Sequence, residues 1–443
     1  MAALHLWMNG QPVGTWEVQS RTGIASLRYE RSWQDSPQGR ALSLSLPFDA
    51  DLGSEIVTNY FENLLPDSRH IRRRIRERFH TGSDEAFDLL KAIGRDCVGA
   101  LQILPPDESP EGWNRISGDP LTESEVGRIL AGVTSPIALG HGDENDFRVS
   151  IAGAQEKTAL LRIDGQWHRP RGATPTTHIL KLPLGLVGNV RADMTESVEN
   201  EWLCAQILRA FGLPVATTEM GVFGGAKALV VERFDRLWQQ AAQPWILRLP
   251  QEDFCQAMGL PPDLKYQSDG GPTMLGCLQQ LRISERLDDA ATFAIAQFAF
   301  WLLAATDGHA KNFSIQHLRA GKFAMTPLYD VLSVWPVIGR GANQIEYHRA
   351  KLAMGLKSKN MHYRLSELQP RHWHALAAQA GGDAWPRMLD LAHRVPEALD
   401  AVERRLPAGF PESTWQPIAS GTRRHARQFL DDAPGLRRAS TAA

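Results

Sequence analysis

Apolar and polar positions alternate over His5-Leu6-Trp7-Met8, break at Asn9-Gly10 and resume from Val13. This predicts two strands joined by a two-residue turn. Helical spacing follows over 55–65 and 84–92, the second stretch stopped by Gly94. Thr122 and Glu125 have the spacing of a capping box at the start of a short helix. From residue 145 the order becomes informative. A strand over 146–151 precedes a loop of small residues beginning Ala152-Gly153-Ala154-Gln155-Glu156, and a strand over 158–163 turns at Asp164-Gly165 into Gln166-Trp167-His168. A strand over 179–182 then carries Lys181 among apolar neighbours, a helix over 195–211 ends at Gly212, and strands over 217–223 and 226–232 meet at Gly224-Gly225.

Strand, small-residue loop, strand, strand with lysine, helix, strand, strand is the order of the small lobe of a protein kinase. The pattern downstream fits the same reading. A strongly apolar helix over 290–305 delivers Thr306-Asp307-Gly308-His309-Ala310-Lys311-Asn312. A kinase catalytic loop pairs an aspartate with an asparagine five positions later, which is the spacing of Asp307 and Asn312. A hairpin over 313–317 and 323–326 leads to Leu328-Tyr329-Asp330, where a second carboxylate is expected. Phosphoryl transfer needs a phosphate cradle, a cation, metal-holding oxygens and a carboxylate that orients the attacking hydroxyl. Asp307, Asn312 and Asp330 supply a base, an amide oxygen and a carboxylate. Each is unremarkable alone, and their order carries the inference.

The 443 residues set a prior of about three domain-sized units. With 43% hydrophobic and 22% charged residues, collagen-like, coiled-coil and wholly disordered chains are excluded. The net charge of −2 makes any nucleic-acid contact a matter of a local patch. Cys97, Cys204, Cys255 and Cys277 form no C-x-x-C pair, which fits a reducing compartment. No basic-then-apolar leader opens the sequence, and the longest apolar stretch is interrupted by Gln297. A cytoplasmic protein without membrane contact is expected. Glu156-Lys157-Thr158 resembles the end of a Walker loop, but Ile151 and Glu156 stand where that loop needs glycine. No G-x-S-x-G and no H-E-x-x-H occurs, so serine-hydrolase and zinc-protease chemistry are set aside.

The chain resembles the HipA family of bacterial serine/threonine kinase toxins over nearly its whole length. The resemblance is carried by Phe61-Glu62-Asn63-Leu64-Leu65-Pro66-Asp67, by Phe87-Asp88-Leu89-Leu90 through Gly94-Arg95-Asp96, and by Ser150-Ile151-Ala152-Gly153-Ala154-Gln155-Glu156-Lys157. Leu249-Pro250-Gln251-Glu252-Asp253 and Thr306 through Ser314 complete it. It implies an α+β, two-lobed kinase-like fold behind an N-terminal α/β domain. The expected division is an N-terminal domain over 1–104, a linker with a short capped helix over 105–144 and a small lobe over 145–235. A helical large lobe over 236–432 and a disordered tail over 433–443 follow.

The resemblance also implies roles. Asp307 is the catalytic base, and Asn312 and Asp330 bind magnesium. Ala152, Gly153, Ala154, Gln155, Glu156 and Lys157 form the phosphate-binding loop, and Lys181 contacts the phosphates of ATP. Glu232 and Phe234 meet the adenine, and His309 and Lys311 of the catalytic loop are counted with the nucleotide-binding residues. Ser150 matches the family's autophosphorylation site. The implied substrate is glutamyl-tRNA synthetase, whose phosphorylation stops translation and promotes dormancy. The implied partners are a HipB-type helix-turn-helix antitoxin and, through it, operator DNA. The partner of Lys181 stays open between Glu199 and Glu201.

Arg69-His70-Ile71-Arg72-Arg73-Arg74-Ile75-Arg76-Glu77-Arg78 packs six arginines into ten residues. It is either a solvated helix face or a contact for DNA phosphates or a partner through Arg72, Arg73 and Arg76. A second functional class also stays open, a catalytically idle corepressor or scaffold in a DNA-bound complex. The intact set Lys181, Asp307, Asn312 and Asp330 argues against it.

Overall fold

The computed structural model describes residues 2–134, 150–153, 155–188, 190–240 and 242–433. Residues 146–149 of the expected strand, Ala154 of the expected loop and 434–443 of the expected tail lie outside the described residues. Ser150 and Ile151 belong to no strand. Two compact units alternate along the chain: Met1–Leu182, Glu219–Lys265 and Ser314–Phe323 form one, and Pro183–Thr218, Tyr266–Phe313 and Ala324–Ala443 form the other.

In the first unit, Ala2–Met8 and Gln11–Val18 pair antiparallel. Asn9 and Gly10 both adopt positive φ in the turn between them, the geometry that matches strand twist in a two-residue hairpin. Alternation turns Leu4, Leu6 and Met8 inward. Strands Ala25–Tyr29 and Leu101–Leu104 complete a four-stranded sheet, whose core includes Trp16 stacked on Phe61 at 3.7 Å.

A six-stranded sheet has the order Thr218–Phe223, Ala226–Glu232, His178–Lys181, Lys157–Ile163, Gln166–Pro170, Gly118–Leu121. Its edge strand, Gly118–Leu121, was expected to be linker. It pairs residue for residue with the strand ending at Pro170. The helix Glu123–Val133 that follows carries the expected capping box of Thr122 and Glu125, and its Val126 and Leu130 pack with Leu160, Leu180 and Val230 of the sheet. Lys181 is thus flanked by a strand on each side, opposite Lys157 and Leu229.

The second unit is largely helical. Its central helix, Asp289–Leu302, is buried along its whole length, which is why its sequence is apolar apart from Asp289, Thr292 and Gln297. Trp373 and Phe429 pack against its Phe298 and Trp301. Among the described residues, no helix is long and apolar enough to cross a membrane.

The basic segment Arg423-Arg424-His425-Ala426-Arg427 lies in the helix Glu412–Asp432. Arg423 pairs with Asp400, and Arg424 sits over Trp335. His425 is buried, with Nδ1 2.8 Å from the Trp301 carbonyl oxygen and Nε2 2.7 Å from the Tyr347 hydroxyl. Burial pushes its pKa down to about 3. The sign of the pH effect follows: the unfolded chain takes up a proton near pH 6.5, the folded chain does so only near 3, so stability falls as pH drops through this window. Between pH 7.5 and 5 this one group removes roughly 2 kcal/mol. Urea midpoints at the two pH values measure the loss, and His425→Gln is expected to shrink it.

Candidate active site

The catalytic-loop segment begins where the central helix ends. Ala304 takes a positive φ of 49° and turns the chain out. Gly308 follows because a Cβ there would sit 2.5 Å from the Phe300 ring. The His309 N–H donates to the Asp307 carbonyl at 2.8 Å and the Asn312 N–H to the His309 carbonyl at 2.9 Å. The Asn312 side-chain amide donates to the Asp307 carbonyl at 2.7 Å. The predicted pair is therefore brought together: Asn312 braces the backbone of Asp307, and the Asp307 carboxylate projects outward, 57% exposed.

Asp330 is fixed from both sides. Two residues earlier, the Leu328 N–H donates to Pro214 O at 2.8 Å and Leu328 O accepts from the Ala216 N–H at 2.9 Å. Three residues later, Ser333 is clamped by Asn200, whose side chain accepts from its N–H and donates to its carbonyl, each at 2.8 Å. Asp330 itself adopts φ 60°, a left-handed conformation that aspartate tolerates better than most residues. The Tyr329 hydroxyl donates to the Lys311 carbonyl at 2.9 Å, tying the Asp330 segment to the catalytic loop. His309 and Lys311 are both buried in this loop. Glu199 and Glu201 are buried in the helix Ser197–Ala210, beside the clamping Asn200.

The oxygens fit magnesium. With its Nδ2 engaged, the Asn312 amide leaves its oxygen as the acceptor, and Asp330 adds a carboxylate. Hard oxygen donors, few in number and completed by phosphate, are the usual protein contribution to bound magnesium. Among the described residues, no cluster of three or more His, Cys, Asp or Glu forms an all-protein metal cage.

The nucleotide-loop residues lie in the first unit. Gly153 has φ 107°, and a Cβ there would lie 2.5 Å from Lys157 Nζ. Its carbonyl accepts from the Asp67 N–H at 3.2 Å. Gln155 donates to the Leu182 carbonyl at 2.6 Å, and the Glu156 carbonyl accepts from the Leu182 N–H at 3.0 Å. The loop is thereby joined to the residue next to Lys181. The Glu156 carboxylate pairs with Arg74. A cavity of about 130 Å³ lies beneath, lined by Ile75, Phe79, Ile151, Arg74 and Lys157 among others. Ile151, Ala152 and Gly153 carry the chain from Ser150 into this loop.

Ser150 is fully buried, its hydroxyl donating to the Leu64 carbonyl at 2.7 Å and its N–H to the Asp96 carbonyl at 3.2 Å. Phosphorylation of Ser150 therefore requires that this segment first be withdrawn. Glu232 is exposed at the end of its strand and Phe234 half-buried, while Arg233 between them turns inward.

Arg233 enters a buried ion cluster that the sequence did not reveal. Asp96 binds Arg233 at 3.2 Å, Arg236 at 2.9 Å and Arg248 at 3.3 Å. Asp235 binds Arg233 at 2.8 Å and accepts from the Gly99 N–H at 2.7 Å. Burial alone would raise the Asp96 pKa, but the guanidiniums of Arg236, Arg233 and Arg248 and a bond from Thr176 hold it well below the usual carboxylate range. Its residues come from positions 96, 233–236 and 248, so no local pattern could announce it.

The basic run forms the helix Arg69–Phe79. Arg72, expected among the partner-contacting arginines, is instead engaged inside its own unit by the Glu62 carboxylate and the Pro66 carbonyl. Helical spacing turns Arg69, Arg73 and Arg76 to solvent in its place.

The braced Asp307–Asn312 loop of one unit and the lysine-bearing sheet of the other each belong to an α+β, protein-kinase-like fold. The HipA N-terminal domain family matches residues 4–104, and the HipA-like C-terminal domain family matches residues 149–407. The chain belongs to the HipA family of serine/threonine kinase toxins. It is 35% identical to "Putative kinase Y4mE" of Sinorhizobium fredii over 85% of this chain and 86% of that protein. It is 28% identical to "Serine/threonine-protein kinase toxin HipA" of Shewanella oneidensis over 91% and 90%. The solved complex of HipA, HipB and operator DNA from Shewanella oneidensis MR-1 shares the fold, with TM-score 0.79 and 22% identity over 98% of this chain and 99% of that one.

Proposed function

We propose that this chain transfers the γ-phosphoryl group of ATP to a serine or threonine hydroxyl of a protein, with magnesium, as the toxin of a toxin–antitoxin module. The observation that carries this reading is the braced pair Asp307 and Asn312, with Asp330 fixed two residues after the clamped Leu328. Gly153 to Lys157 and Lys181 hold the phosphates, Glu232 and Phe234 meet the adenine, and His309 and Lys311 shape the loop. Asn312 and Asp330 would hold magnesium, which when bound would neutralise charge at the phosphates. Asp307 accepts the hydroxyl proton as the new O–P bond forms and the bond to ADP breaks. We propose the division 1–104, 105–144, 145–235, 236–432 and 433–443 as a functional one, with Gly118–Leu121 and Glu123–Val133 of the second segment counted with the sheet of the third, on which they pack.

The substrate we infer is glutamyl-tRNA synthetase, with a HipB-type antitoxin and operator DNA as partners and the cytoplasm as the compartment. Ser150 is the inferred self-inactivation site. A phosphate there adds roughly −1.5 to −2 charges, which the fully buried hydroxyl position on the Leu64 carbonyl cannot take, so the segment leading into the nucleotide loop must move. The test uses labelled ATP, magnesium and purified synthetase. Wild type is expected to label the synthetase and itself, and Ser150→Ala only the synthetase. Self-labelling that persists in Ser150→Ala would remove the serine from this role, and an unlabelled synthetase would remove the substrate. Binding of ATP without any transfer would favour the idle corepressor.

A further inference from the structure

The carboxylate expected to receive a substrate hydroxyl already holds a hydroxyl of the protein itself. The Tyr266 phenol donates to Asp307 Oδ1 at 2.5 Å, the short end of the range for an O–H bonded to an ionised carboxylate. A serine or threonine hydroxyl must make this same bond to be aimed at the phosphorus. Tyr266 is held for the purpose. Its ring meets His309 edge-on at 5.0 Å, and its carbonyl accepts from the N–H groups of Asp269 and Gly271, each at 3.0 Å. The next residue, Gln267, is buried and accepts from the Gly355 N–H at 2.9 Å. The preceding residue, Lys265, pairs with Asp67 at 2.7 Å, and it is the Asp67 N–H that holds the Gly153 carbonyl of the nucleotide loop.

We propose that Tyr266 is a gate on Asp307: its hydroxyl occupies the carboxylate oxygen that a protein substrate must take, and keeps water from it until such a substrate displaces the phenol. The inference rests on the reading of Asp307 as the base. It gives Tyr266 a defined benefit, suppression of ATP hydrolysis when no protein substrate is present. A tyrosine that merely oriented the carboxylate would act in the opposite sense, because its loss would slow every reaction that Asp307 serves.

The full chain is assayed for phosphate release from magnesium-ATP without protein substrate, as wild type, Tyr266→Phe, Asp307→Asn and the double variant. Tyr266→Phe keeps the ring and removes only the hydroxyl. Its kcat for hydrolysis is expected to rise about tenfold, the factor set by one hydrogen bond to a charged group, with KM for ATP unchanged because the phenol does not hold the nucleotide. The rise is expected to vanish in the double variant. A kcat that stays level or falls in Tyr266→Phe overturns the gate while leaving Asp307 as base if Asp307→Asn is inactive. A rise that survives in the double variant overturns it too, because the phenol would then act elsewhere. If Asp307→Asn transfers labelled phosphate to protein as fast as wild type, the reading of the base fails and the gate falls with it.

Discussion

Asp307→Asn is expected to lower phosphoryl transfer by about 10²–10⁴-fold, the range that a positioned general base contributes, without lowering stability. The two halves of this expectation come from different observations. The Asp307 backbone carbonyl accepts from the Asn312 side chain and from the His309 N–H, and neither bond involves the carboxylate. The carboxylate is more than half exposed and bonds the Tyr266 hydroxyl, which an asparagine oxygen can also accept. The substitution thus removes the charge and the proton acceptor while keeping the loop. Exposed substitutions of this kind usually change stability by less than about 0.5 kcal/mol. Initial rates with labelled ATP and urea midpoints on the same preparations measure the two halves, and a large fall in both would mean that the loop had been damaged.

Asp96→Asn is expected to do the reverse, costing roughly 3–5 kcal/mol of stability before any effect on chemistry is considered. Three buried guanidiniums, Arg233, Arg236 and Arg248, share only Asp96 and Asp235 within the described cluster, so neutralising Asp96 leaves a buried excess of positive charge. The same residue accepts from the Thr176 N–H and hydroxyl at 3.0 and 2.6 Å, and its carbonyl receives the Ser150 N–H. The variant is therefore expected to loosen Ser150 as well as the fold. The pH sign is set by the depressed pKa. The stability that ionised Asp96 contributes is complete above the ordinary carboxylate pKa near 4 and is lost as pH falls towards the folded value. Urea midpoints at pH 7 read the loss directly, and a variant as stable as wild type would show that the cluster is not held by this charge.

What the sequence made legible follows from what is local. The Asn9-Gly10, Asp164-Gly165 and Gly224-Gly225 turns are written in residues that tolerate positive φ, and all three are found. The all-apolar face of Asp289–Leu302 gave a buried helix because nothing else buries such a segment. The spacing of Asp307 and Asn312 was readable because one short loop holds both. What escaped was set by tertiary contact. Gly118–Leu121 looks like linker because it is an edge strand of four residues containing a proline, which only its partner strand makes a strand. Arg72 is drawn inward by Glu62, ten positions away, and no periodicity separates it from Arg73. Tyr266 lies 41 residues before Asp307, and a tyrosine in a polar stretch carries no signature of the carboxylate it will meet. Asn200 had neighbours under scrutiny, Glu199 and Glu201, but its clamp on Ser333 spans 133 residues.

The most direct test of the central claim is transfer of labelled phosphate from ATP to protein by wild type and Asp330→Asn, each over a range of magnesium concentrations. If Asn312 and Asp330 hold the metal for the carboxylate of Asp307, label reaches protein only with magnesium, and Asp330→Asn is strongly impaired at low magnesium and partly recovers as the concentration is raised. If Asp330→Asn transfers phosphate as well as wild type at every magnesium concentration, Asp330 is not a metal ligand and the assignment of the site is wrong.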